Sequence, residues 1–152
     1  MNGRLLDTLL FRYLAMEGSD RAPSFRDWVS RNGGSIFLST ISVLEIKARI
    51  KGVGEARRVA AVDQWLKDIV DRHGDRILPV TTEVALHAGA LINIRSQKSD
   101  RRSLFDPLLA ATAEIHNLGL LTDRKDAFSP WAAKIEFCDP FELGLRDQHD
   151  SG

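Results

Sequence analysis

The chain has 152 residues, enough for one domain with a substantial core, and 43% of them are hydrophobic and 28% charged, as in ordinary soluble globular proteins. Acidic and basic residues balance at 21 each, so the net charge does not indicate a nucleic-acid binder. The single cysteine, Cys138, excludes an intrachain disulfide and a cysteine-based metal site. Because we find no signal-peptide pattern and no apolar run near the roughly 20 residues that span a bilayer, we expect a cytoplasmic protein without a membrane segment.

The first half of the chain alternates short apolar runs with helical patterns. In chain order, the sequence predicts a strand at 3–7, helices at 9–16 and 25–31, a strand at 35–39 and a helix at 43–51. Ser42 is the expected N-cap of that last helix. The clearest element follows at 55–72, a helix whose apolar residues recur at spacings of three and four.

The second half continues the alternation. It predicts a strand at 76–80, a helix at 82–96, a helix from Asp106 to about Asn117, and strands at 120–122 and 134–137. Pro79 has no N–H to donate, so it should lie at the end or the edge of its strand. We expect one domain over 1–142 and a flexible polar tail over 143–152.

Strands separated by helices predict right-handed crossovers and a mainly parallel sheet of four to five strands, covered on both faces. The expected fold is therefore a three-layer α/β/α sandwich. Open sheets of this kind place their sites at the carboxyl ends of the strands.

Four carboxylates are expected at that edge of the sheet. Asp7 ends the first strand, Glu45 lies in the first predicted turn of its helix, Asp106 opens another helix, and Asp123 ends the strand at 120–122. Converging carboxylates repel one another unless a cation lies between them, and Mg²⁺ prefers oxygen ligands. Such an ion activates water and neutralises charge on a scissile phosphate. The set therefore predicts phosphodiester hydrolysis.

Each acid also has a structural alternative when it is taken alone. Asp106 precedes Pro107 and suits a helix N-cap, Glu45 suits the positive end of a helix dipole, and Asp123 suits a turn. Asp7 is harder to explain structurally, because a carboxylate that ends an apolar strand is awkward in a core. The hypothesis therefore depends on the set.

The residues around these acids resemble the VapC-type toxins of the PIN domain family. The likeness lies in LLDT at Asp7, LSTISVLEIKARI around Glu45 and FDPLLAATAEIHNLGLLT around Asp106. The resemblance implies an Mg²⁺- or Mn²⁺-dependent endoribonuclease that cuts RNA and pairs with a DNA-binding antitoxin. It also implies that Asp7, Glu45 and Asp106 are the catalytic and metal-binding acids, and that Thr8 is the hydroxyl beside the first acid.

The sequence departs from this family at two places. Leu9 stands where members commonly have a polar residue, and the fourth acid is either Asp123, which we favour, or Asp126 in reserve. The alternative function is a PIN-like module that has lost catalysis and serves only as a protein-binding partner.

Basic residues flank the predicted site. Arg95, Lys98, Arg101 and Arg102 precede Asp106, and Arg124 and Lys125 follow Asp123. We predict that Arg101, Arg102 and Arg124, together with Thr8, bind the RNA, although a solvated surface is the alternative for such charges. Apolar residues of the first helices predict a homodimer or antitoxin surface, and they are Leu9, Leu10, Phe11, Leu14, Phe25 and Trp28.

Overall fold

The computed structural model describes residues 3–15, 20–50, 55–92 and 104–142. Within these residues five strands form one sheet in the order β3-β2-β1-β4-β5, and each neighbouring pair is parallel. The strands are β1 (Arg4–Leu6), β2 (Ile36–Ser39), β3 (Ile77–Leu78), β4 (Gly119–Leu121) and β5 (Phe137–Cys138). The parallel sheet predicted from the alternation is confirmed.

Helices connect the strands and cover both faces of the sheet. In the described residues they are α1 (Arg12–Ala15), α2 (Ala22–Asn32), α3 (Thr40–Ile50), α4 (Ala56–His73), α5 (Thr82–Leu91), α6 (Phe105–Ile115) and α7 (Lys125–Phe128). A 3₁₀ turn, Thr8–Phe11, links β1 to α1. None of the described helices is long and apolar enough to cross a bilayer.

The core divides into two layers because successive strand side chains point to opposite faces. Leu6 and Leu121 pack with Phe25 and Trp28 of α2 on one face. Leu5, which lies beside Leu120 in the sheet, packs with α6 on the other face. The predicted three-layer α/β/α sandwich is confirmed.

Several predicted boundaries are wrong in detail. Helix α3 begins at Thr40, directly after β2, so Ser42 lies inside the helix and Glu45 lies in its second turn. The side chain of Ser39 takes the predicted capping role, because its Oγ accepts the Ile41 N–H at 3.1 Å. Asp106 is likewise not an N-cap, since α6 begins at Phe105.

The remaining differences concern strand ends and the limits of the described residues. β5 starts three residues later than predicted, and Pro79 lies just after β3, an edge strand, as its missing N–H requires. Helix α5 is described to Leu91. The rest of the predicted 82–96 helix from 93 onwards and the predicted tail at 143–152 lie outside the described residues.

The apolar residues of the first helices mostly belong to the core. Four of them are buried in the core, namely Leu10, Phe11, Phe25 and Trp28. These four side chains therefore do not form an exposed apolar surface. They pack against the sheet and α4 instead. The homodimer stays a prediction.

Glu114 of α6 is hydrogen-bonded to His87 of α5 and paired with Lys134, and these contacts make stability depend on pH. Glu114 Oε2 lies 2.6 Å from His87 Nε2, and this hydrogen bond, with the charges of His87 and Lys134, lowers the pKa of Glu114 despite some burial. A carboxylate with a lowered folded-state pKa stabilises the fold above its unfolded pKa, and this contribution is lost as the pH falls through the folded value. We expect Glu114→Gln to lower the free energy of unfolding at pH 7 by about 0.5 kcal/mol, a small value because the pair is partly solvated.

Urea unfolding of the wild type and Glu114→Gln, at pH 7 and at pH 3, measures this difference. It should shrink towards zero at the lower pH, and an equal difference at both values would contradict the ion-pair explanation. Glu83→Gln, which changes an exposed carboxylate of α5, is the matched control.

Candidate active site

Asp7 lies at the carboxyl end of the central strand and is fully buried. Its backbone N–H donates to the Leu121 carbonyl at 2.9 Å, which extends the pairing of β1 with β4 by one residue. Its Oδ1 accepts the Leu9 N–H at 3.3 Å and so caps the 3₁₀ turn. The hydroxyl of Thr122, at the end of β4, donates to Oδ2 at 2.7 Å. The sheet edge therefore fixes the orientation of this carboxylate.

Arg124 joins Asp7 to Asp106. Its Nε and Nη2 donate to the two carboxylate oxygens of Asp7, both at 2.9 Å. Nη2 also donates to Asp106 Oδ1 at 3.0 Å, and Nη1 reaches Asp106 Oδ2 at 3.5 Å. One guanidinium thus lies between two of the predicted site carboxylates. Each carboxylate thus receives two hydrogen bonds from the guanidinium, and this bidentate pairing is the strongest that arginine makes.

The surroundings of Arg124 hold it in that position. Its guanidinium carbon lies 5.2 Å from the centre of the buried Phe128 ring, and its backbone N–H donates to the Thr122 hydroxyl at 2.9 Å. Burial lowers the pKa of Arg124, but the hydrogen bonds and charges of Asp7 and Asp106 outweigh burial, so its pKa is raised. Arg124 is therefore a cation at neutral pH.

Glu45 approaches the same place from α3 through Thr8. The Thr8 hydroxyl donates to Glu45 Oε1 at 2.9 Å and lies 2.8 Å from the Ser42 hydroxyl. Because Thr8 has one proton and gives it to Glu45, Ser42 donates to Thr8. The other oxygen of Glu45, Oε2, pairs with Arg49 at 3.3 Å.

The pKa of Glu45 is raised above its ordinary value. Burial is the largest cause, and the negative charges of Asp106 and Asp7 add to it, whereas the Thr8 hydrogen bond and Arg49 oppose it. The three carboxylates are thus close enough to influence one another. Asp7, Glu45 and Asp106 are named the acidic cluster below.

Asp123 points to different partners. Its Oδ2 pairs with Arg12 Nη2 and accepts the Tyr13 hydroxyl, both at 3.2 Å. Its Oδ1 is buried and has no hydrogen-bond partner in the described residues. Asp126, the reserve fourth acid, is exposed in α7. The structure therefore brings three of the predicted acids together. The fourth acid that we favour, Asp123, is bonded to Arg12 and Tyr13 instead.

The sequence model of the PIN domain family matches residues 4–129. The chain belongs to the PIN domain family. None of the curated proteins matches the sequence.

Solved structures share the fold of this PIN domain. FitAcB from Neisseria gonorrhoeae is 21% identical, with a TM-score of 0.74, and the match covers 91% of this chain and 98% of that one. DNA-bound VapBC from Salmonella typhimurium is 18% identical, with a TM-score of 0.61 and coverage of 92% and 99%. VapBC2 from Rickettsia felis, bound to a DNA fragment from its promoter, is 15% identical, with a TM-score of 0.61 and coverage of 89% and 96%.

The acidic cluster of this PIN domain has suitable chemistry for a divalent metal. Carboxylate oxygens are the ligands that Mg²⁺ and Mn²⁺ prefer, and Asp7 and Asp106 already share one cation, the Arg124 guanidinium. In the present arrangement, however, no group of three or more acidic, histidine or cysteine side chains in the described residues is placed to hold a metal. Binding of a metal by the cluster would therefore need a rearrangement of these side chains, including the Arg124 guanidinium that now lies between Asp7 and Asp106.

The predicted RNA-binding residues fall into two groups. Arg95, Lys98, Arg101 and Arg102 lie outside the described residues. Arg124 is at the predicted edge of the sheet, but its guanidinium faces the acids, and Lys125 pairs with Glu142 at 2.8 Å. Thr8 contacts Glu45 and Ser42.

Sequence reasoning did not anticipate that Arg124 would neutralise the acidic cluster, nor the contacts of Ser42, Arg12 and Tyr13. The sequence did contain an indication that Arg124 pairs with Asp7. A fully buried carboxylate needs a cationic or hydrogen-bonding partner, and Arg124 follows β4, the strand that lies beside β1 and Asp7. The partners of Asp123 come from α1 and carry no such signal.

A groove opens beside Thr8, between the 3₁₀ turn, α3 and α4. Its volume is about 320 Å³, and apolar residues that include Leu9, Ile46, Val62 and Trp65 line it. Three arginines also contribute to its walls, and they are Arg12, Arg49 and Arg58. Leu9, the departure from the family pattern, thus lines an apolar groove beside the acidic cluster.

Proposed function

We propose that this PIN domain is a metal-dependent endoribonuclease toxin of a toxin–antitoxin pair. The observation that carries the proposal is the acidic cluster, in which a fully buried Asp7 at the carboxyl end of β1 shares Arg124 with Asp106 of α6, and both acids influence Glu45 of α3. Grouped carboxylates destabilise a fold unless a cation offsets their repulsion. A hydrolytic site at this edge of the sheet explains their grouping better than a structural role does.

In this proposal Asp7, Glu45 and Asp106 hold Mg²⁺ or Mn²⁺, with Asp123 as the fourth acid and Asp126 in reserve. The ion, when bound, supplies activation of water and neutralisation of charge on the scissile phosphate. Thr122 orients Asp7, and the Ser42–Thr8 pair orients Glu45 through hydrogen bonds. Arg101, Arg102 and Arg124 bind RNA phosphates.

The proposed partner is an antitoxin whose apolar, acidic segment lies in the groove beside Thr8. Apolar walls with Arg12, Arg49 and Arg58 suit such a segment in shape and charge. The solved structures with this fold include VapBC from Salmonella typhimurium and VapBC2 from Rickettsia felis, both bound to DNA. Val62→Glu places a negative charge in the groove, which would repel an acidic segment. We expect it to weaken by about 100-fold the binding of an acidic partner that is co-expressed with the protein, an effect as large as the loss of a hot-spot side chain.

The test of the nuclease is cleavage of a mixed RNA pool by the purified protein free of antitoxin. Parallel reactions contain Mn²⁺, Mg²⁺ or excess EDTA. We expect cleavage that requires the metal and stops on chelation. A folded protein that cuts none of a wide range of RNAs with either metal would overturn the proposal.

A second candidate function is a PIN-like module that only binds a partner. The pairing of Arg124 with Asp7 and Asp106 favours it, because a permanently bound guanidinium would leave the carboxylates unable to bind a metal. This module would bind its partner through the groove with full affinity and would cleave no RNA.

A further inference from the structure

We propose that Arg124 is the resident counter-ion of the acidic cluster and that a divalent metal must displace its guanidinium before the metal binds Asp7 and Asp106. This inference rests on the proposed metal-dependent function. It makes metal binding an exchange between two cations.

The hydrogen bonds of Asp7 require such an exchange. Among the described residues, Oδ1 accepts from the Leu9 N–H and Arg124 Nη2, and Oδ2 accepts from the Thr122 hydroxyl and Arg124 Nε. Each oxygen therefore has a donor for each of its two lone pairs. A metal ion also binds through a lone pair, so it cannot bind Asp7 until one of these donors leaves.

Arg124 is the donor that is best able to leave. The Leu9 N–H belongs to the backbone of the 3₁₀ turn, and Thr122 is fully buried at the end of β4. The Arg124 side chain, in contrast, is 28% exposed and extends from the loop that follows β4. Rotation of its side chain would free one lone pair on each Asp7 oxygen and release both Asp106 oxygens from the guanidinium together.

The charges also favour competition rather than shared occupancy. Asp7 and Asp106 carry two negative charges, and Arg124 offsets one of them. A divalent ion would offset both, but a guanidinium within hydrogen-bond reach of the same oxygens would repel it strongly in this partly buried place. Two ligands that exclude each other weaken each other's binding by the same factor.

Loss of the guanidinium should therefore tighten metal binding. We expect Arg124→Met, which keeps an unbranched side chain over Phe128, to bind Mn²⁺ at least about tenfold more tightly than the wild type, as measured by isothermal titration calorimetry. Lys125→Met is the matched control, because it removes one positive charge from the neighbouring residue, whose side chain pairs with Glu142 and not with a proposed metal ligand.

The outcomes separate this inference from the proposed nuclease. Tighter binding in Arg124→Met alone supports the exchange. Equal binding by all three proteins, or an equal gain in both variants, overturns the exchange and leaves the nuclease proposal standing. A lack of Mn²⁺ binding in all three proteins overturns both.

A measurement on the wild type does not depend on a folded variant. In ¹⁵N-arginine NMR spectra, the Nε–H of Arg124 should give a slowly exchanging signal because it donates to Asp7. Saturating Mg²⁺ should abolish its protection from exchange while the backbone amides of Asp7 and Asp106 shift. Shifted amides with an unchanged Arg124 signal would overturn the exchange.

Discussion

Asp106→Asn is expected to lower the rate of RNA cleavage by about 10³-fold while the protein stays folded. An amide keeps the size of the side chain and one acceptor oxygen, but it removes a negative charge from the proposed metal site. Several kcal/mol of transition-state stabilisation come from a bound metal, and each 1.36 kcal/mol is a factor of about ten in rate. The Asp106 side chain is 27% exposed, so the substitution does not disturb the core.

The matched control is Asp71→Asn, which makes the same chemical change at an exposed acid of α4. Rates of single-turnover cleavage with Mn²⁺, measured beside the circular dichroism spectrum of each protein, give the comparison. Wild-type activity in Asp106→Asn would remove Asp106 from the site. Asp123→Asn and Asp126→Asn, measured in the same series, separate the two choices for the fourth acid, because only the true one loses activity.

Much of the fold could be predicted because it depends on local patterns. Apolar runs that alternate with amphipathic helices produce parallel strands with helical crossovers, and the five-stranded sheet follows. Helix α3 shows where local patterns are not enough. It starts at Thr40 because Ser39 caps it from the end of β2, so the buried Ser42 is free to support Thr8.

The candidate site was predictable to the level of the backbone. Asp7 lies at a strand end and Asp106 in the first turn of its helix, as topology places them, whereas Glu45 lies one turn further into α3 than predicted. The directions of long side chains do not follow from topology. Arg124 and Asp123 are sequence neighbours, yet Arg124 turns to Asp7 and Asp123 turns to Arg12, because each finds its counter-ion on a different element.

In the absence of metal, Arg124→Met is expected to lower the free energy of unfolding by about 3 kcal/mol. Removal of one partner from a buried ion pair costs about 3–5 kcal/mol, because the remaining charge stays buried and uncompensated. Asp7 is fully buried, but the Thr122 hydroxyl and the Leu9 N–H still donate to it, so the lower end of that range applies. Urea unfolding in the presence of EDTA measures this loss.

Mn²⁺ should restore stability to this variant, because a ligand that binds only the folded state raises the free energy of unfolding by about 2.7 kcal/mol at 100 times its dissociation constant. At one fixed Mn²⁺ concentration, the gain should be larger in Arg124→Met than in the wild type, where the ion must first displace a guanidinium. Lys125→Met alters an ion pair between side chains that are 42% and 64% exposed, so it should cost far less stability than Arg124→Met and gain no more from Mn²⁺ than the wild type. Equal losses in the two variants with EDTA would mean that Arg124 does not compensate the charge of Asp7, and the acidic cluster would then have to be stable without it.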